Sequence, residues 1–354
     1  MPENRPRIAV DAMGGDIGPR VNVPAALQVA REGVNVILVG DEDALRAELA
    51  RHEGVDSLPI SIHHASQVVE MDEKPGDAMR RKKDSSILVA CQLVKDGLAD
   101  GVVSAGNSGA SVACGMFVLG RIKGVERPAL ASIMPTEKNP VVLIDVGANV
   151  DSKPFHLAQF GIMADVLARD VLGIERPRVG ILSIGEEEGK GNTVVKEAYD
   201  LLKQTSLNFV GNVEGRDVFT GDLDVAVCDG FVGNICLKLS EGLARSFGHV
   251  LKRELKRHML SRMGAALSMG SLKNFARMMD YAEYGGAPLL GLKSILIVCH
   301  GASNIKAVTN AIRMAATYVD KKAHEHLAEE LAAHKELGQF SRHKAPEETT
   351  APAS

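Results

Sequence analysis

The chain has 354 residues, of which 45% are apolar and 24% are charged, a balance typical of a folded globular protein. Its net charge of −4, its four tyrosines and its lack of tryptophan argue against nucleic-acid binding, which needs basic surfaces and stacking aromatic rings. No run of about 18 apolar residues could span a membrane, and the first residues lack a secretory signal. A cytoplasmic location is therefore expected.

The five cysteines limit the chemistry further. They are far apart and include no Cys-x-x-Cys pair, which is typical of small buried residues in a reducing compartment. The sequence therefore predicts neither a bound metal nor a cofactor.

The first predicted strand, residues 7–11, runs into a glycine-rich turn. Gly14 and Gly15 allow a ligand to approach the backbone closely, and Asp11 and Asp16 lie on either side of them. The alternative is structural, with Asp16 capping a helix near residues 21–31. The glycine spacing does not match the dinucleotide fingerprint G-x-G-x-x-G.

A polar segment, residues 70–86, precedes a short apolar helix. Lys82 belongs to a run of four cations, which would raise the local concentration of an anionic substrate. Asp84 and Ser85 follow as candidate binding residues. A charged run is also typical of a solvated face, and Asp84 or Ser85 could equally cap the helix.

Residues 101–110 read as a strand, a turn of small residues and the start of a helix that extends to about residue 119. Ser104, Gly106, Asn107 and Ser108 combine hydroxyl and amide groups with the unpaired N–H groups of that helix. Such a turn favours a bound anion. An ordinary strand-to-helix turn with an Asn or Ser cap is the alternative.

Polar residues also follow the predicted strand 141–145. Asp145 and Asn149 crowd the end of this strand, where open α/β sheets bind ligands. With Asp151 they could form a cation site, although hydrogen bonding and helix capping are equally compatible with the pattern.

Three later predicted strands end in similar turns. Their candidate binding residues are Asn212 and Glu214, Asp229 and Asn234, and His300, Ser303 and Asn304. The alternation of strand, turn and helix predicts a three-layer α/β/α fold around a large, mostly parallel sheet with one shared ligand cleft. Residues 1–337 form this body, and the polar end, 338–354, is expected to be disordered.

Residues 249–284 depart from the alternation and predict a basic, amphipathic helical hairpin. An apolar stripe at residues 251, 255, 259 and 263 includes Leu255 and Met259, and the tip carries Leu267 and Met269. Lys256 and Arg257 contribute to its positive charge. The stripe could pack in the core or in a dimer, while the charge suits a membrane surface or an acidic protein.

Taken together, the turns resemble those of the bacterial acyl-carrier-protein:phosphate acyltransferases of phospholipid synthesis, the PlsX family. The matching segments are residues 10–16, 74–86, 104–110, 145–149, 211–216, 229–234 and 300–304. Ser108 departs from the pattern, since the family more often has threonine there, but the hydroxyl is kept.

The resemblance implies a fold like those of isocitrate dehydrogenase and phosphotransacetylase, in a homodimer. It implies conversion of acylated acyl carrier protein and inorganic phosphate into acyl phosphate and free carrier protein, and the acyl phosphate would feed the membrane-bound glycerol-3-phosphate acyltransferase PlsY. The enzyme would then be cytoplasmic and peripherally associated with an anionic membrane. Asn107, Ser108, Lys82 and His300 become catalytic candidates, with His300 and Lys82 as alternative proton donors to the leaving thiol.

Two other classes of protein remain compatible with the sequence. One is a metal- and NAD-dependent decarboxylating dehydrogenase of similar fold, in which aspartates would bind the metal. The other is a non-catalytic, membrane-binding or lipid-binding scaffold, suggested by the basic hairpin alone.

Overall fold

A computed structural model describes residues 5–278 and 280–334, in which eleven strands form one sheet. The predicted tail, 338–354, lies outside these residues. The strands are β1 (Arg7–Asp11), β2 (Asn35–Gly40), β3 (Ile60–His64), β4 (Gly101–Ser104), β5 (Ala129–Met134), β6 (Val141–Ile144), β7 (Arg178–Leu182), β8 (Asn208–Val213), β9 (Val225–Val227), β10 (Ala287–Leu290) and β11 (Ile295–Val298).

Helices cover both faces of this sheet. They are α1 (Pro19–Arg31), α2 (Glu42–Leu49), α3 (Pro75–Arg81), α4 (Ser86–Lys95), α5 (Ser108–Cys114), α6 (Pro154–Asp170), α7 (Thr193–Lys203), α8 (Gly230–Arg257), α9 (Met259–Leu267), α10 (Met269–Met278), α11 (Ile305–Asp320) and α12 (Ala323–Ala333). Helix α5 continues as one π-helical turn, Gly115–Leu119, so the predicted helix over this segment changes its winding near its end.

Two apolar cores lie on opposite faces of the sheet. Leu27 of α1, Phe160 of α6 and Ile312 of α11 belong to one core, and Cys91 of α4 and Ala110 of α5 belong to the other. Burying one face of each helix against the sheet removes apolar surface from water, which favours folding. The predicted three-layer α/β/α arrangement is confirmed.

The strand order is β3-β2-β1-β4-β11-β10-β5-β6-β9-β7-β8. The first five strands are mutually parallel, and so are β6, β9, β7 and β8. Between these blocks, the β11–β10, β10–β5 and β5–β6 pairs are antiparallel. Three reversals make the two parallel blocks run in opposite directions. The polar turns therefore gather in two groups, one at each edge of the sheet, rather than at one common edge.

The hairpin begins much earlier than the sequence predicts. Helix α8 is 28 residues long and starts directly after β9. It ends at Arg257, and His258, which has extended backbone angles, separates it from α9. Ser268 is the single residue between α9 and α10. The prediction of one helical stripe over residues 251–263 is wrong, because His258 divides those residues between two helices. In the part of the chain that the structure describes, no helix is long and apolar enough to cross a membrane.

Candidate active site

Three glycine-containing turns meet at the carboxyl ends of the neighbouring parallel strands β1, β4 and β11. These turns, residues 12–16, 104–107 and 300–303, are called the glycine junction below. A Cβ atom on Gly14 would lie 2.7 Å from the backbone nitrogen of Gly106, and the Asp16 N–H donates to the Gly301 carbonyl oxygen at 2.9 Å. The backbones are thus in direct contact, which only residues without side chains allow.

Asp11 lies beneath the glycine junction and is 2% exposed. Its carboxylate accepts hydrogen bonds from the Ser104 hydroxyl at 2.7 Å and from the Gly14 N–H at 3.1 Å, while the Gly106 N–H donates to the Ser104 oxygen at 3.1 Å. Burial raises the pKa of Asp11, and hydrogen bonds from Ser86 and Ser104 oppose that rise. Asp11 and Ser104 therefore hold the turns in place from below.

Both polar atoms of the Asn107 side chain form hydrogen bonds with other residues of the protein. Its Oδ1 accepts from the Ala110 N–H at 3.0 Å and so caps α5, as the capping alternative predicted. Its Nδ2 donates to the carbonyl oxygens of Glu70, Met71 and Glu73 at 2.9–3.1 Å. Asn107 therefore fastens the segment 70–73 beside the glycine junction.

Lys82 fastens the same segment from the other side. Its ammonium lies 2.8 Å from the Glu73 carboxylate and 2.6 Å from the Val68 carbonyl oxygen. Asp84 accepts from both the backbone N–H and the hydroxyl of Ser66, and these bonds lower the pKa of Asp84. Ser85 is buried and precedes α4 without a side-chain capping bond, so neither residue caps that helix.

A cavity of about 1770 Å³ lies on the face of the sheet that carries α5 and α8. His300 of the glycine junction and Ser108, the first residue of α5, line it together with Gly147 and Asn234, from the opposite group of turns. His300 is exposed and accepts the Ala302 N–H at its Nδ1. The cavity thus connects two groups of turns that the strand directions separate.

The other candidate residues of these turns do not line the cavity. Asn304 caps α11 by accepting from the Ala307 N–H. Ser303 is buried, and its hydroxyl has no hydrogen-bond partner among the described residues. Asp16 is exposed and does not cap α1, whose preceding residue, Gly18, makes no side-chain bond.

Asp145 organises the second group of turns. It is fully buried and accepts from the N–H groups of Leu130, Gly147, Ala148 and Asn149, and also from the Asn149 side chain at 2.9 Å. Burial raises the pKa of Asp145 despite these bonds. Because N–H donors already occupy both carboxylate oxygens, Asp145 is unsuited to the cation site that the sequence left open.

Helix α8 begins against this turn. Asp229 caps it by accepting from the Val232 N–H, and Asn234 faces the cavity one turn later. Asn212 and Glu214 lie elsewhere, on and just after the edge strand β8, and do not line the cavity. Asn212 donates to the Glu187 carbonyl oxygen at 2.7 Å, and Glu214 pairs with Arg216.

Residues 6–326 match the family described as "Fatty acid synthesis protein". The "Phosphate acyltransferase" of Nitratidesulfovibrio vulgaris (strain DP4) is 63% identical over 337 residues, which are 95% of this chain and 97% of that protein. The "Phosphate acyltransferase" of Lawsonia intracellularis is 59% identical over 94% of this chain and 96% of that protein.

The chain belongs to this family of phosphate acyltransferases.

A crystal structure of a phosphotransacetylase from Streptococcus pyogenes has a TM-score of 0.65 and 18% identity, covering 89% of this chain and 94% of that one. It supports the predicted fold class. Membership shows an acyltransferase, which overturns the dehydrogenase and scaffold alternatives.

The walls of the cavity in this family member include residues that the sequence analysis did not place in the ligand cleft. Its apolar lining includes Leu130, Met134, Leu237, Phe247, Leu251 and Phe275, and its cations are Lys238, Arg245, Lys252, Lys256, Arg262 and Lys273. Helices α8 and α10 supply most of them. The sequence did contain one sign of the long helix α8, namely the apolar repeat that begins at Val232 and continues through Leu243, well before the predicted hairpin.

Proposed function

We propose that this acyltransferase transfers the acyl group of an acyl-carrier protein to inorganic phosphate, releasing acyl phosphate for phospholipid synthesis. The size and the lining of the cavity are the main support for this proposal. The cavity is large and mostly apolar, as a fatty acyl chain requires, and it reaches the glycine junction at His300, with Ser108 also in its lining. In this scheme the product passes to the membrane-bound acyltransferase PlsY.

In the proposed reaction, a phosphate oxygen attacks the thioester carbonyl carbon. A C–O bond forms, the C–S bond breaks, and the thiolate takes a proton as it leaves. Phosphate is largely dianionic near neutral pH, so it needs positioning more than deprotonation. Backbone N–H groups of the glycine junction would hold phosphate beside the carbonyl and stabilise the developing oxyanion.

The side chains divide into two roles in this scheme. Ser108 and His300 line the cavity, so they can contact the reacting groups, and in this scheme His300 would protonate the departing thiolate. Lys82 and Asn107 hold the segment 70–73 and act as positioning residues. Asp11, Asp145 and Asn149 maintain the turns from inside the protein.

The deciding experiment measures thiol release from palmitoyl-acyl carrier protein with and without phosphate. We expect release that depends on phosphate and yields hydroxylamine-reactive acyl phosphate in equal amount. Thiol release at the same rate without phosphate would instead indicate a thioesterase and contradict the proposal.

Substitution of Asn107 tests the positioning role. We expect Asn107→Ala to lower turnover by about 100-fold, because it releases the segment 70–73 beside the glycine junction and small misplacements of reacting groups have effects of that size. The lost helix cap should also destabilise the protein by about 1 kcal/mol. The measurement is steady-state turnover together with the urea unfolding midpoint. Wild-type turnover in a folded Asn107→Ala protein would contradict the assignment.

The exposed face of α8 supports the proposed homodimer. Val232, Ile235, Leu239, Leu243 and Val250 are all exposed and recur every three to seven residues along one side of the helix. A second copy of the chain would cover this stripe, since isolated proteins rarely expose such long apolar surfaces.

The hairpin tip supports the proposed contact with an anionic membrane. Leu267 is 90% exposed, Met259 and Leu260 are 81% and 82% exposed, and Arg262 lies on the same helix. We expect Leu267→Glu to release the protein from vesicles containing phosphatidylglycerol, because it removes apolar burial and adds a repelled charge. Cosedimentation measures this, and turnover of soluble acyl-carrier protein should be unchanged. Equal vesicle binding by the variant would exclude the tip as the contact.

A further inference from the structure

A compact basic surface lies at the end of the π-helical turn that follows α5. It consists of Phe117, Arg121, Lys123, Arg127 and Lys293 and is called the basic patch below. Arg121 forms an isolated antiparallel bridge with Leu292, which places Lys293 next to the segment 120–122. The Lys293 Nζ lies 3.9 Å from the position of a Cβ on Gly120. Arg121 and Arg127 also border a small hollow of about 410 Å³ with Phe117.

The charges of the four cations in the basic patch are not neutralised by ion pairs with the residues that the structure describes. All are exposed, and none forms an ion pair with another residue in the ranges 5–278 and 280–334. Arg121 donates to the backbone carbonyl oxygen of Glu126, while the Glu126 carboxylate contacts His156. Although the chain has a net charge of −4, such a surface would attract an acidic partner locally.

The basic patch is close to the large cavity. Leu130 lines that cavity and follows Arg127 by three residues, a distance of about 10 Å along an extended chain. The Val146 N–H donates to the Leu130 carbonyl oxygen, so the turn containing Gly147 lies beside this segment. A thioester arm carried by a protein on the basic patch would therefore reach the cavity beside Leu130 and Gly147 and would extend from there to the glycine junction, where the proposed transfer takes place.

We propose that the basic patch is the docking surface for the acidic carrier protein that delivers the acyl group. The inference rests on the proposed function and adds the place where the protein part of the substrate binds. Phe117, which is 76% exposed, supplies the apolar centre, and the surrounding cations supply charge complementarity. A lipid surface fits the hairpin tip better, because several large apolar side chains are exposed together there.

The test reverses two charges of the basic patch whose side chains make no hydrogen bond or ion pair to a described residue. In the full-length protein, Arg127→Glu with Lys293→Glu should lower kcat/KM for palmitoyl-acyl carrier protein by about 10- to 100-fold, mainly through KM. Turnover of palmitoyl-pantetheine, which has no protein part, should be unchanged. The matched control is Arg31→Glu with Lys95→Glu, two exposed cations outside the basic patch, and it should behave as wild type with both substrates.

Four results would overturn the docking surface. They are an unchanged KM for acyl-carrier protein, an equal loss with palmitoyl-pantetheine, lost binding to phosphatidylglycerol vesicles as the sole effect, and a changed oligomeric state in sedimentation. If wild type released thiol from neither substrate, the proposed function would fail by itself. Docking would then be decided by fluorescence anisotropy of labelled acyl-carrier protein: weaker binding by the double variant supports the surface, and equal binding overturns it.

Discussion

Asp145→Ala is expected to lower the free energy of unfolding by about 2–5 kcal/mol, the largest stability loss predicted for this protein. The Leu130 and Asn149 N–H groups that bond to this carboxylate belong to buried residues, and water cannot replace the lost acceptor there. Each buried donor left unpaired costs about 1–3 kcal/mol. Urea denaturation followed by circular dichroism measures the change.

Two further variants separate the hydrogen bonds from the shape of the side chain. Asp145→Asn keeps the shape but turns an NH₂ group toward N–H donors, so most of the loss should remain. Asp151→Ala, which removes an exposed carboxylate of the same turn, should leave the midpoint unchanged. A stable Asp145→Ala protein would show that the turn does not depend on these bonds.

Gly14→Ala should cause the largest loss of activity, a fall in kcat of about 100-fold or more, because small misplacements of reacting groups have effects of that size. The new Cβ would lie 2.6 Å from the Asp11 carboxylate and 2.7 Å from the Gly106 nitrogen. One of the two turns must therefore move. Steady-state turnover at saturating acyl-carrier protein and phosphate measures the effect.

The matched control for this prediction is Gly189→Ala. Apart from its chain neighbours, no atom in the described part of the chain lies within 4 Å of a Cβ at that position, so wild-type turnover is expected. Near-wild-type kcat in Gly14→Ala would mean that the glycine junction tolerates displacement and does not hold the reacting groups.

Local sequence determined the strand–turn–helix units of this protein. The turns after β1, β4 and β11 were predicted correctly, because glycine, capping residues and apolar periodicity act over a few neighbouring residues. Asn304 and Asp229 likewise cap the helices that follow them. The turn motifs carried the family resemblance, which the comparisons confirm.

Only the tertiary structure decided how these units combine. Whether a polar turn residue faces a ligand or the protein depends on partners that are distant in the sequence. Asn107 donates to three carbonyl groups of the segment 70–73, and Asp145 accepts from the Leu130 N–H. The opposed directions of the two parallel blocks follow from three antiparallel pairs, β11–β10, β10–β5 and β5–β6, and β5 and β10 are more than 150 residues apart in the chain. The cavity wall formed by α8 and α10 also depends on where those helices pack. Apart from the apolar repeat of α8, these contacts leave no periodic signal in the chain, because each joins residues that are neighbours only after folding.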